Sequence, residues 1–268
     1  MASVPSPPQF PDVPVHVPHA PLRNYYGEDQ QRCAWAVGLF DSTAQDYERI
    51  VGLMAMGSGS WYRRRALSLA GLQTGMQVID VGTGTGLVAR EAARLVGPQG
   101  SVLGVDPSAG MLANARATSG MRLVQGRAES IPAPDASADF LCMGYALRHI
   151  GDLSVAFREF ERVLRPGGRL CLLEITHPEG RWRAAVLKTY MRRLVPWAAR
   201  VLGRERNTPL LMRYYWDTIA ACVAPPLIVA ALRAAGFVEV TRRVEWGIFS
   251  EYCARRAQSE VALTQRQL

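Results

Sequence analysis

The sequence predicts an α/β fold: a doubly wound, mostly parallel sheet with an N-terminal helical cap before it and a helical insertion ahead of its last strands. Three features carry this reading. Between residues 76 and 175 short apolar runs alternate with helical patterns, the signature of strand–helix–strand units. The first run ends in alternating glycines that open a helix. A further pair of alternating segments closes the chain. At 268 residues, 49% hydrophobic and 20% charged, the chain supplies one sizeable core with accessory segments, which excludes collagen-like and wholly disordered classes.

Residues 1–22 hold seven prolines and few aromatics, a composition too poor in apolar surface to offset chain entropy, and are expected to form a disordered tail. Residues 23–72 interleave apolar, aromatic and charged side chains and end on Trp61, Arg63-Arg64-Arg65, Ala66, Leu67 and Leu69, a helical cap. Residues 73–180 form the expected cofactor-binding core. Strands are predicted at 76–81, 101–105, 121–125, 138–143 and 169–175, with helices at 87–96, 108–118 and 152–164. In the last helix Leu153, Ala156, Phe157, Phe160 and Val163 make the stripe that packs one face on a sheet, and Arg165-Pro166-Gly167-Gly168 stops it. Residues 181–222 are helical but rich in Arg, Trp and Tyr, interrupted by Pro196 and Pro209, and read as an insertion over the substrate side. Residues 223–256 supply a helix begun by Pro226 and closed by Gly236, then strands at 237–241 and 248–254 around Trp246-Gly247; residues 257–268 are a tail.

The chemistry centres on Val78-Ile79-Asp80-Val81-Gly82-Thr83-Gly84-Thr85-Gly86. Glycines there permit a tight turn and let a ligand approach the backbone without a Cβ collision. A dinucleotide fingerprint is spaced G-x-G-x-x-G so that a pyrophosphate rests on the helix N-terminus; here position 87 is Leu and the third glycine arrives one residue early. Asp80 would also repel phosphates. A cationic tail near Asp80 fits better. Asp106, twenty residues past Gly86 at the end of the second strand, is placed to accept both hydroxyls of a ribose. Together these describe S-adenosylmethionine, ahead of NAD or a plain strand-to-helix turn with a capping acid.

The ordered set Phe40-Asp41-Ser42-Thr43-Ala44-Gln45-Asp46-Tyr47, Trp61 to Arg65, Asp80 to Gly86, Ala128-Glu129-Ser130-Ile131-Pro132, Ala146-Leu147-Arg148 and Leu164-Arg165-Pro166-Gly167-Gly168, spread over residues 39–255, resembles class I S-adenosylmethionine-dependent methyltransferases. Within that class it is most similar to the ubiquinone/menaquinone-biosynthesis C-methyltransferase family. The resemblance implies a seven-stranded sheet with the cofactor across the C-terminal ends of its first strands. It implies a cofactor-binding set of Asp80, Gly82, Thr83, Gly84, Thr85, Gly86, Asp106, Pro107 and Met111, with Arg127 and Ala128 beside adenine and Gly144 near the sulfonium. Leu87, Arg127 and His149 depart from the family, which usually carries an acid, Asp or Asn, and Asn there. Arg127 cannot accept a hydrogen bond from the adenine amino group. The divergence suggests a relative with its own substrate.

Methyl transfer is an in-line displacement, so the protein must chiefly hold nucleophile and methyl about 3–3.5 Å apart and aligned. For a phenol or hydroquinone carbon, Arg148 is the candidate to stabilise the oxyanion, His149 and His177 to take its proton, and Tyr145 to line the acceptor pocket. A loop ion pair for Arg148 and structural roles for the histidines are the alternatives. The expected function is methyl transfer to a small hydrophobic acceptor, C-methylation of a phenol or hydroquinone as in quinone biosynthesis. A specialised-metabolism O-, N- or C-methyltransferase and a non-catalytic cofactor-binding protein are the competing readings.

The five cysteines lie singly and the four histidines are dispersed, so no metal is expected. Of the net charge of +8, most sits in residues 181–206, where eight basic residues face Glu205 alone. Trp182, Leu187, Tyr190, Leu194, Trp197 and Leu202 are interleaved there, as in a helix lying on a membrane or covering a greasy substrate. Nucleic acid is disfavoured because the charge is confined to one segment. No apolar run reaches the roughly 20 residues that span a bilayer, and no export signal is evident. The expectation is a cytoplasmic protein, with peripheral contact at the inner face of the membrane through 181–206. Nothing in the sequence sets an oligomeric state.

Overall fold

The computed structural model describes residues 17–202 and 207–258. Most of both expected tails, and residues 203–206 of the basic segment, lie outside the described residues. The cap comprises α1 (Asp29–Thr43), α2 (Tyr47–Met54) and α3 (Gly59–Leu69). The sheet follows with β1 (Gln77–Val81), β2 (Ser101–Asp106), β3 (Met121–Gln125), β4 (Ala138–Gly144), β5 (Leu164–Ile175), β6 (Phe237–Glu245) and β7 (Phe249–Arg256), in the order β3-β2-β1-β4-β5-β7-β6. Pairings from β3 through to β5 are parallel; β7 runs antiparallel to both β5 and β6. Strand order reverses between β1 and β4, and such a switch point opens a crevice at the carboxyl ends of the strands.

Alternation along the central strands sets the layers. Ile79, Val81, Leu141 and Met143 face α6 (Leu153–Val163) and α10 (Pro225–Ala234), while Val78, Phe140, Cys142 and Cys171 face α3 and α4 (Leu87–Val96). Helix α6 begins where Asp152 accepts hydrogen bonds from the backbone N–H groups of Ser154 (2.8 Å) and Val155 (3.0 Å), and its expected stripe is wholly buried. A third cluster joins α1 and α2 to the insertion, α7 (Arg181–Thr189), α8 (Val195–Val201) and α9 (Thr208–Ala221).

Several expected boundaries move. The helix predicted at 108–118 is only α5 (Ala109–Ala113), ended where the Asn114 side-chain amide donates to the Gly110 carbonyl at 2.8 Å. Strand β5 begins at Leu164, directly after α6, because Leu164 pairs with Ala138 across an irregularity in register. Pro196 does not interrupt its helix: a π-helical turn over Tyr190–Leu194 carries the chain from α7 into α8, with Pro196 in the first turn of α8, where a missing N–H is tolerated. Residues 17–22 are not a tail. The Pro18 carbonyl accepts from Val223 N at 2.7 Å, and His19 is 2% exposed.

Candidate active site

A cavity of about 320 Å³ lies at the switch point. Its floor comes from the strand tips and the turns after them: Gly82, Gly84, Asp106, Met143 and Gly144. Close packing explains two of the glycines. A Cβ on Gly82, at φ +67°, would stand 2.6 Å from Ala146 Cβ, and one on Gly144 would stand 2.5 Å from Val88 Cγ2. Gly84 also has positive φ (+54°), but a Cβ there would meet nothing within 4 Å. Pro107, Met111, Arg127 and Ala128 line the same cavity, as expected for one end of the cofactor site.

Asp106 is nearly buried on this wall. Its carboxylate accepts from Gly84 N (2.7 Å) and Ser108 N (2.9 Å), and burial pushes its pKa up to about 6 against those hydrogen bonds. Asp80 is placed differently from the expectation. Strand alternation turns it with Val78 and Cys142 toward α4, behind the glycine turn, where it is fully buried and accepts from Thr83 Oγ1 (2.7 Å) and Cys142 Sγ (3.4 Å). Burial raises its pKa to about 7. Asp80 therefore braces the turn, and Thr83, Thr85 and Gly86 likewise stay off the cavity wall. The second acid on the wall is Glu129, whose carboxylate accepts from Gly151 N (2.7 Å) and lies 3.6 Å from the Arg127 guanidinium.

Two expected catalytic groups are elsewhere. Arg148 is fully buried, paired to Glu174, donating to Thr218 Oγ1 and the Tyr145 carbonyl (both 3.1 Å), with Tyr215 beneath its guanidinium. Burial works against its charge, but Glu174 more than restores it and its pKa is raised. It is a packing hub, not an oxyanion ligand. His177 is exposed against Trp216 in a separate shallow surface depression.

His149 and Tyr145 do line the cavity. The His149 ring packs between Phe40 and Tyr214, its Nδ1 is 3.1 Å from the Tyr214 hydroxyl, and Nε2 is buried with no hydrogen-bond partner. Burial and then Arg148 hold its pKa well below the ordinary imidazole value, so it is neutral. Tyr145 sits at φ +62° with Arg63 near its ring; burial lifts its pKa.

The remaining wall was not anticipated. Helix α1 presents Gln30, Cys33, Ala34, Val37 and Phe40 at helical spacing, and Tyr47 and Tyr215 meet hydroxyl to hydroxyl at 3.0 Å. Asp41 clasps α1 to the core, accepting from Ser108 Oγ (2.5 Å) and Gly110 N (2.8 Å). The 30-33-37-40 period was the available signal for a face turned inward.

A sequence profile of the ubiE/COQ5 methyltransferase family matches residues 28–254, covering cap, sheet and insertion alike. The chain belongs to that family. Among its relatives, the ubiquinone/menaquinone biosynthesis C-methyltransferase UbiE of Pseudomonas paraeruginosa is 30% identical over 220 residues, 80% of this chain and 85% of the relative. The UbiE of Hahella chejuensis is 38% identical over 147 residues, 52% of this chain and 59% of that protein. In fold the chain is similar to a SAM-dependent methyltransferase from Aquifex aeolicus, with TM-score 0.54 at 21% identity over 72% of this chain and 88% of that one. A Haemonchus contortus phosphoethanolamine N-methyltransferase in complex with S-adenosylhomocysteine gives TM-score 0.55 at 16% identity over 74% and 53%.

As a member of the ubiE/COQ5 family the protein is an S-adenosylmethionine-dependent methyltransferase with the class I fold. The donors fit that cofactor. Asp106 offers a carboxylate that a ribose diol could use, and Gly84 leaves room for close backbone approach. Arg127 and Ala128, expected beside adenine, line the cavity together with Asp106 and Met111. Glu129 supplies an acceptor that Arg127 lacks.

Proposed function

We propose that the enzyme methylates a ring carbon of a phenol or hydroquinone, a reading supported by relatives named ubiquinone/menaquinone biosynthesis C-methyltransferases. The observation that carries this is His149, a neutral imidazole with an unpartnered nitrogen on an aromatic wall continuous with the cofactor cavity. When bound, the cofactor supplies a methyl carbon on a positively charged sulfur. The chain's task is to present an electron-rich carbon in line with it. Phe40, Tyr47, Met143 and Tyr215 give an apolar slot for a flat ring and exclude water from it. In the tautomer that donates from Nδ1 to Tyr214, the His149 Nε2 lone pair accepts a phenolic proton, giving the ring phenolate character. His149 would hold the phenolic proton while the aromatic wall would turn the ring carbon toward the cofactor compartment, and the proton displaced from that carbon would pass to a base. We place the enzyme in the cytoplasm at the inner face of the membrane, where isoprenoid-bearing acceptors reside.

Incubation with S-adenosylmethionine and hydroquinones bearing short prenyl chains, read by mass spectrometry for one added methyl group, tests the proposal. His149→Gln is expected to slow turnover by about 10²–10⁴-fold while cofactor affinity stays unchanged. Methylation of an amine or hydroxyl with the carbon untouched overturns it, as does full activity in His149→Gln.

A further inference from the structure

Helix α7, the π turn and α8 form one uninterrupted rod over residues 181–201. Its inner face is settled: Met191, Val195 and Ala199 are buried against the cap, and Tyr190 donates to the Met54 carbonyl at 2.8 Å. The outer face carries a second apolar row over which nothing packs among the described residues. Trp182 is 75% exposed and Trp197 60%, with Val186, Leu194 and Val201 between and beyond them. Arg181, Arg183, Lys188, Arg192, Arg193 and Arg200 are also exposed along it, and residues 181–202 contain no acid.

A second cluster adjoins the start of the rod. The turn joining β6 to β7 places Trp246 and Gly247 at φ +51° and +74°, a conformation that suits Asn or Gly and strains Trp. This turn adjoins the rod: a Cβ on Gly247 would lie 3.5 Å from the Arg183 guanidinium. Trp246, 63% exposed, stacks 6.5 Å from Trp61, itself 58% exposed. Strand β5 ends beside this turn, Ile175 opposite Phe249, so both clusters lie on the carboxyl edge of the sheet that also bears the cavity.

We propose that this edge is a docking surface for an anionic lipid bilayer, with the rod lying flat in the headgroup layer. Charge and composition choose the partner. An excess of basic over acidic side chains on this face, where Arg192 lies 3.8 Å from Asp217, complements anionic headgroups, and tryptophans that keep one end wet belong at a membrane interface. The row of Val and Leu between them needs an apolar phase, which a nucleic acid backbone does not offer. Among the described residues no single helix is long and apolar enough to cross a membrane, so the contact is peripheral. The inference rests on the reading above only in taking the acceptor to be lipid-borne, and it explains how such an acceptor reaches a cavity on the same edge.

The test uses the full chain, without acceptor, in co-sedimentation with vesicles of two parts phosphatidylcholine to one part phosphatidylglycerol, against pure phosphatidylcholine. Binding is expected to the anionic vesicles alone, with a blue shift of tryptophan emission and quenching by brominated lipid. It should fall at least about tenfold in the Trp182→Ala/Trp197→Ala variant and again on raising salt from about 0.05 to 0.5 M. Calorimetry with S-adenosylmethionine checks that the variant keeps its fold. Absence of vesicle binding by the wild type, equal binding by the variant, or preference for an RNA oligonucleotide over vesicles overturns the inference. Vesicle binding without carbon methylation would instead sink the proposed function and leave this surface standing.

Discussion

Arg148 and Glu174 are both buried almost completely, and Glu174 Oε2 has no hydrogen-bond partner among the described atoms, so their mutual attraction is what keeps two charges inside the protein. Removing one leaves the other uncompensated. Arg148→Ala or Glu174→Ala is expected to cost about 3–5 kcal/mol of stability, read as a lowered denaturant midpoint. Asp106 acts on the ligand. Asp106→Ala should weaken S-adenosylmethionine at least about tenfold, measured by calorimetry. Both Asp106 and Asp80 titrate above the usual carboxylate range, so in the ligand-free protein their stabilising effect is whole under acid conditions. It is lost as pH rises through about 6 for Asp106 and about 7 for Asp80. A cationic ligand favours the ionised forms, so cofactor affinity should fall as pH drops below about 6; a flat profile there removes Asp106 from the binding set. These roles were unevenly legible. Asp106 was readable because its place depends on a local strand end. Arg148 was not, because its partners Glu174 and Thr218 lie 26 and 70 residues away along the chain.

Helix α1 is tied to the start of α5 by the carboxylate of Asp41, beside the Arg32 and aromatic contacts along its length. Asp41→Ala removes both of its hydrogen bonds to the start of α5, and α1 should then exchange its amide protons faster, with cofactor affinity several-fold lower and the sheet unaffected. Unchanged exchange would show that the aromatic contacts of α1 hold it alone. Elements whose burial pattern is local were plain in the sequence: β3 and α4 fall within the expected bounds, and α6 within one residue at each end. Those decided by tertiary contacts were less so. Nothing local says that Asn114 will close α5 early, that Leu164 will pair with Ala138, or that a π turn will carry the helix past Pro196. The glycine turn announced the cofactor, yet strand alternation sent Asp80 to the opposite side from the one its chemistry suggested.

Across the molecule, the cofactor cavity is walled by parts far apart in sequence: strand tips, α1, the turn after β4, and Tyr215 from α9. Binding should therefore tie the cap to the sheet. At a cofactor concentration about 100 times Kd, thermal unfolding is expected to shift upward by the equivalent of about 2.7 kcal/mol, and a cap that melts separately without ligand should melt with the core. Persistent separate melting would deny the coupling. The covering of the cavity by α1 also bears on the catalytic cycle. Helix α1 forms one side of the cofactor compartment, so its outward movement is expected to ease departure of spent S-adenosylhomocysteine, with Asp41 as one of the ties that resist it. Departure of the used cofactor should then set the pace at saturating substrate. Loosening that tie should speed each cycle even as it weakens capture, trading grip for throughput.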